Sequence, residues 1–172
     1  TLLLTFLIFT PREYQIPKLE KRNSTQYWNL KDGTRIGYTY LAAIGKPQHY
    51  PIIYLHGGPG GPISNHHIES LKPLTKMGFD IYLYDQTGNG YSDRLQDISG
   101  YTTTKHTEDL DQIIQKIKAP KVILIGHSWG AMLANLYLSQ NSKNVDRVIL
   151  SCPGPILPIN KSLATVPIPD SM

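Results

Sequence analysis

The chain has 172 residues, 40% of them hydrophobic, and 17 basic against 13 acidic side chains give it a formal net charge of +4. That length supports one buried core. The charge is mild and scattered, with Glu108, Asp109 and Asp111 interleaved and no basic stripe beside aromatic residues, which excludes a nucleic-acid surface. Cys152 is the only cysteine, so no internal disulfide can form and redox chemistry names no compartment.

Residues 1–9 are apolar, too short to span a bilayer, and have neither an initiator methionine nor basic residues ahead of them. They are expected to be the remainder of a signal peptide or membrane anchor, which would mean export or membrane association; otherwise they pack on the domain and the protein is cytoplasmic. Two sequons, Asn23-Ser24-Thr25 and Asn160-Lys161-Ser162, would fit export but arise often by chance. Arg12 to Ser24 is a polar linker, so residues 1–24 stand apart from the domain that follows.

Tyr27–Leu30 and Thr34–Leu41 are strand-like and flank Lys31-Asp32-Gly33, whose Asp-Gly pair suits the positive φ of a hairpin turn. Pro51–Leu55 is a buried-strand run. The loop after it, His56-Gly57-Gly58-Pro59-Gly60-Gly61, lets backbone N–H groups approach a ligand unobstructed, as an oxyanion donor requires, or is simply a glycine-proline turn. A helix is expected around Ile68–Met77. His66 and His67, with Glu69 nearby, point apart and are read as a surface or cap-facing pair, not a metal site.

Phe79–Tyr84 is the next strand, ending in the polar turn Asp85 to Asp93. Gly88-Asn89-Gly90 is not a dinucleotide fingerprint, because aspartate stands where a third glycine belongs and no helix follows at once. From Thr104 to Lys118, Leu110, Ile113, Ile114 and Ile117 fall on one helical face, with Thr104 as N-cap and acidic residues in the first turns. His49 and His106 are read as surface residues.

Val122–Ile125 is a second buried-strand run, and Ala131–Leu138 is helix-forming. Between them lies Gly126-His127-Ser128-Trp129-Gly130. A strand that becomes a helix within about one residue holds its serine in a strained conformation, with Oγ exposed and the Trp129 amide aimed at whatever Oγ attacks. The alternative is an ordinary tight turn. Val145–Ser151 closes the series, and a proline-rich tail follows. A hairpin followed by β-α-β-α-β-α-β implies right-handed crossovers and a mostly parallel sheet with helices on both faces, its site at the strand C-termini.

HGGPG, DQTGNGYS and GHSWG in this order resemble the proline iminopeptidases and their relatives among the α/β-hydrolases, over most of Tyr27 to Pro155. Thr87 departs from the arginine usual there. The resemblance implies an α/β-hydrolase fold and a serine aminopeptidase that releases N-terminal residues, often proline, from peptides. By it Ser128 is the nucleophile, the amides of Gly58 and Trp129 form the oxyanion hole, and His56, Gly57, Asp85 and Gln86 shape the substrate-site loops; no cofactor or metal is expected.

In such relatives the triad's acid and histidine follow the serine, after a helical cap that recognises the substrate's amino terminus. No histidine follows Ser128 here, and only Asp146 and Asp170 are acidic. The expectation is therefore an N-terminal fragment: residues 25–155 are the first part of the hydrolase domain, 156–172 the start of the cap, and the last strands and triad partners lie beyond Met172. His127 is read as a packing and hydrogen-bonding residue. The alternatives are a hydrolase of esters or other small acyl substrates, and a non-catalytic binding protein of the same fold.

Overall fold

A run that is apolar at every position, such as Ile52-Ile53-Tyr54-Leu55, can be satisfied only in a strand covered on both faces, and it occupies that place. In the computed structural model, which describes Leu19, Arg22 and residues 24–47 and 49–154, this strand lies inside a six-stranded sheet. The strands are β1 (Thr25–Asn29), β2 (Arg35–Leu41), β3 (Ile52–Leu55), β4 (Ile81–Tyr84), β5 (Val122–His127) and β6 (Val145–Ser151), in the order β1-β2-β4-β3-β5-β6. β4, β3, β5 and β6 run parallel, while β1, β2 and β4 pair antiparallel. The apolar segment 1–9 and the tail from 155 lie outside the described residues, and no described helix is long and apolar enough to cross a membrane.

The β1–β2 hairpin closes with Leu30 N–H donating to the Thr34 carbonyl at 2.8 Å, and Gly33 takes φ +87° in the turn, where a side chain would be strained. Trp28 and Tyr38 stack across it with ring centroids 3.6 Å apart, and Tyr82 of β4 joins them at 5.7 Å from Trp28. These aromatic residues pack the sheet and do not present a stacking surface.

Among the described residues three α-helices cover the sheet: α1 (Asn65–Leu71), α2 (Thr103–Ile117) and α3 (Trp129–Asn141). On one face Leu110, Ile113 and Ile114 of α2 and Leu133, Ala134 and Tyr137 of α3 pack on Ile53, Leu55 and Leu124. On the other, Ile68 and Leu71 of α1 pack on Ile52, Tyr54, Ile81 and Leu83. Each fully buried aliphatic side chain is worth about 1.5–3 kcal/mol of transfer free energy.

Two helix boundaries differ from expectation. The segment Ile68–Met77 is split: α1 ends at Leu71 and Lys72–Met77 continues as a 3-10 turn, because Pro73 has no N–H to donate. α2 starts one residue early, and its N-cap is Thr102, whose Oγ1 accepts from Lys105 N–H at 3.1 Å, not Thr104; no acidic residue lies in its first turn.

The sheet order also sets where the loops diverge. β3 sends its chain to α1 on one face, and its neighbour β5 sends its own to α3 on the other, so the two loops part at their C-terminal ends and leave a crevice there.

Candidate active site

Ser128 is the single residue between β5 and α3, at φ 52° and ψ −117°. A non-glycine residue held there stores about 1–3 kcal/mol of strain. Its backbone is held from both sides: the N–H donates to the Ser151 carbonyl at 2.9 Å, and the carbonyl accepts from Ala131 N–H at 3.0 Å. The two flanking glycines serve different contacts. A Cβ on Gly126 would lie 2.6 Å from Ala131 Cα, so this glycine lets α3 fold back on β5. A Cβ on Gly130 would lie 2.7 Å from the His56 carbonyl oxygen, so that glycine admits the end of β3.

The glycine loop rests on this serine. A Cβ added to Gly57 would lie 3.2 Å from Ser128 Cβ and 3.2 Å from His127 Cδ2, so any side chain there would crowd the serine. Gly58, next in the loop, takes φ +130°.

One side chain ties the three motifs together. Gln86 N–H donates to His56 Nε2 at 3.0 Å, which leaves the ring proton on Nδ1, donated to the Gly57 carbonyl at 2.8 Å. The Gln86 amide group donates Nε2–H to the His56 carbonyl at 3.0 Å, while its Oε1 accepts from Trp129 Nε1–H at 2.9 Å. Burial pulls the His56 imidazole below its ordinary value of 6.5, despite upward pulls from the Gly57 carbonyl and Asp85. His106 shifts the same way for the same reason.

The folded state thus resists protons that the unfolded chain accepts, so stability is complete above about pH 6.5 and falls as pH drops below it. The expected outcome is a urea midpoint that declines from about pH 6.5 to 5, less steeply in His106→Leu. A flat profile would mean that neither imidazole contributes.

Asp85 is fully buried and acts as a node. Its Oδ1 accepts from Ile63 N–H at 2.7 Å and its Oδ2 from Tyr91 N–H at 2.9 Å, fastening the far end of the glycine loop and the β4 turn. Ser92 Oγ donates to its carbonyl at 2.5 Å and accepts from Gly37 N–H at 2.9 Å, which brings in β2. The charge is met by Arg22, whose Nη2 pairs with Oδ2 and whose guanidinium lies over the Tyr91 ring at 4.9 Å. Both side chains of the pair are 0% exposed. Sequence reasoning missed Arg22, because a lone arginine in a polar linker gives no signal of its partner 63 positions away.

At position 87 the threonine hydroxyl donates to Asp109 Oδ2 at 2.6 Å. Lys105 pairs with the same carboxylate and reaches Asp32 in the hairpin turn at 3.0 Å. Burial pulls the Lys105 ammonium down, but the two carboxylates outweigh it and hold it above its usual value.

The histidines divide. His66 is exposed; His67 Nδ1 accepts from Ser64 N–H at 3.0 Å, and among the described residues no group of three His, Cys, Asp or Glu could hold a metal. His127 Nδ1 lies 3.4 Å from Ser151 Oγ. His49 is exposed and stacks on Phe79. His106 corrects the surface reading: it is 6% exposed and meets Trp129 edge-on at 5.9 Å. Position 106 continues the stripe of Leu110 and Ile113, a periodicity that could have revealed it. Asp146 is the second residue of β6, roughly 16 Å along the strand from Ser151 at about 3.3 Å per residue, and so lies at the opposite end from the elbow.

The family model for the alpha/beta hydrolase fold matches residues 50–169. A proline iminopeptidase of Heyndrickxia coagulans is 41% identical over 103 residues, covering 60% of this chain and 35% of that protein. Another, of Lactobacillus delbrueckii subsp. lactis, is 34% identical over 118 residues, covering 66% and 40%. Among solved structures, an esterase of Exiguobacterium antarcticum superposes with a TM-score of 0.63 at 28% identity, covering 74% of this chain and 44% of that one. A probable hydrolytic enzyme of Pseudomonas aeruginosa PAO1 gives 0.72 at 20% identity over 87% and 47%, a likeness of fold alone. The chain spans about a third of the length of the first curated relatives it matches, at 35%, 32% and 28%.

Proposed function

The chain belongs to the α/β hydrolase fold family, and from that premise we propose that it is the nucleophile-bearing part of a serine aminopeptidase that releases N-terminal residues, often proline, from peptides. One observation carries the reading: a strained serine at φ 52° with a glycine loop seated against its Cβ. Ser128 Oγ attacks the scissile carbonyl carbon, and the amides of Trp129 and Gly58 hold the oxyanion. As the C–N bond breaks, the departing amine takes the proton removed from Oγ, and water then hydrolyses the acyl-serine. His56, Gly57, Asp85 and Gln86 hold the loops around this centre.

Among the described residues no histidine is hydrogen-bonded to Ser128, so in this reading another part of the full-length protein supplies the base, as it does the cap surface that reads the substrate's amino terminus. The similarity to proline iminopeptidases supports the choice of substrate. The likeness to an esterase favours a second reading, hydrolysis of esters or other small acyl substrates by the same serine.

The test is hydrolysis of a proline arylamide and of a short-chain ester by the full-length protein. A kcat/KM at least tenfold higher for the proline arylamide than for the alanine arylamide or the ester is expected. Turnover of the ester alone would favour the second reading. Failure to hydrolyse either, with no fluorophosphonate adduct on Ser128, would leave a binding protein. The chain of residues 1–172 by itself is expected to show negligible turnover.

A further inference from the structure

Beside the elbow a cleft of about 360 Å³ opens between the glycine loop, the β4 turn and the start of α2. Three of the side chains that line it are aromatic and held in place. The Trp129 indole is held by Gln86, and the His106 ring stands edge-on against it. Across from them Tyr101 accepts from Leu95 N–H at 2.8 Å through its hydroxyl, and Gly88 packs on its ring, where a Cβ would lie 3.0 Å from Cζ. Gly60 contributes backbone, and Thr102 and Thr103 stand at the start of the helix.

Among the described residues no charged side chain lines this cleft. The nearest candidates are spent elsewhere: Lys105 pairs with Asp109 and Asp32, and Asp109 also takes the Thr87 hydroxyl. His106 adds no charge at neutral pH, since burial holds its imidazole below the ordinary value. An ammonium or carboxylate placed here would be desolvated without a charged partner, whereas a flat neutral group meets the rings of Tyr101, His106 and Trp129.

We propose that this cleft is a substrate subsite for an uncharged planar moiety, a neutral ring or amide, and that it rejects ammonium and carboxylate groups. The assignment as a substrate subsite rests on Ser128 being the reacting centre. It follows that the free amino end of a peptide substrate is held on another side of the serine, and this cleft takes a neutral portion of the same molecule. The size agrees with such a fragment, at the small end of the roughly 300–1,000 Å³ usual for ligand pockets.

The test is binding of benzamide, benzylammonium and benzoate to the full-length protein carrying Ser128→Ala, followed by NMR at the indole N–H of Trp129, with that of Trp28 as control. Benzamide is expected to shift the Trp129 signal and to bind at least tenfold more tightly than either charged probe. Thr103→Phe, which fills the cleft from an exposed position, is expected to weaken benzamide binding at least tenfold, and Thr103→Leu to do so by a smaller factor. Equal binding of a charged probe, no shift at Trp129, or indifference to both Thr103 variants would each overturn the proposal. Benzamide bound as expected, in a protein whose unmodified Ser128 takes no fluorophosphonate, would overturn the catalytic reading and leave the cleft standing as a ligand site.

Discussion

Removing the proposed nucleophile, Ser128→Ala, is expected to lower kcat/KM of the full-length protein by about 10³-fold or more, because the proposed covalent route vanishes while the proposed oxyanion donors and the binding surfaces remain. A loss of that size is diagnostic only if the fold survives, and here the structure provides a control. The backbone of Ser128 is anchored through its own N–H and carbonyl, so removing Oγ leaves those bonds intact. Its φ of 52° is a strained value for any side chain with a Cβ. Ser128→Gly is therefore expected to abolish activity while raising stability by about 1 kcal/mol, since release of strain outweighs the added freedom of the unfolded chain. Kinetics and urea unfolding on both variants check this. An active alanine variant would remove Ser128 from the mechanism, and a destabilised glycine variant would show that the elbow is not under strain.

The largest stability effect is expected at Arg22. Its pair with Asp85 is wholly buried, and removing one partner of such a pair leaves an uncompensated charge that costs about 3–5 kcal/mol. Arg22→Met should therefore remove a large part of the roughly 5–15 kcal/mol that stabilises a typical domain. Asp85 also accepts two backbone N–H groups that anchor the glycine loop and the β4 turn, so the damage should reach the site as well. Arg22→Met combined with Asp85→Asn is expected to cost well under the sum of the single changes, because the second change removes the charge that the first left stranded. Chemical denaturation of all three variants gives the coupling. Additive losses would mean that the two groups act independently.

The alternation of elements was legible because each carries its own local signal. Ile52–Leu55 and Val122–Ile125 are apolar at every position, the stripe from Leu110 to Ile117 has helical period, and Asp32-Gly33 marks the hairpin turn. The elbow and the glycine loop were legible for the same reason, as short motifs whose backbone demands are written in glycine.

What escaped was long-range or a matter of register. Arg22 lies 63 positions from Asp85, and no pattern in the linker points to the β4 turn. A stripe counted from Leu110 leaves His106 out, whereas extending it one turn toward the N-terminus places the imidazole inside. The N-cap shifted from Thr104 to Thr102 within a run of three threonines, where any of the hydroxyls is chemically able to cap and tertiary packing makes the choice.

Gln86 connects the His56 ring, the His56 carbonyl and the Trp129 indole through a single side chain and its own N–H. Positions 56, 86 and 129 therefore form one unit of inheritance. A change at 86 leaves the His56 carbonyl and the Trp129 indole N–H unmatched, and a change at 56 or 129 leaves a group of Gln86 unmatched, so a new residue is tolerated only when its partners change with it. Across a lineage these three sites should vary in concert or stay fixed together, whatever happens to the strands that carry them.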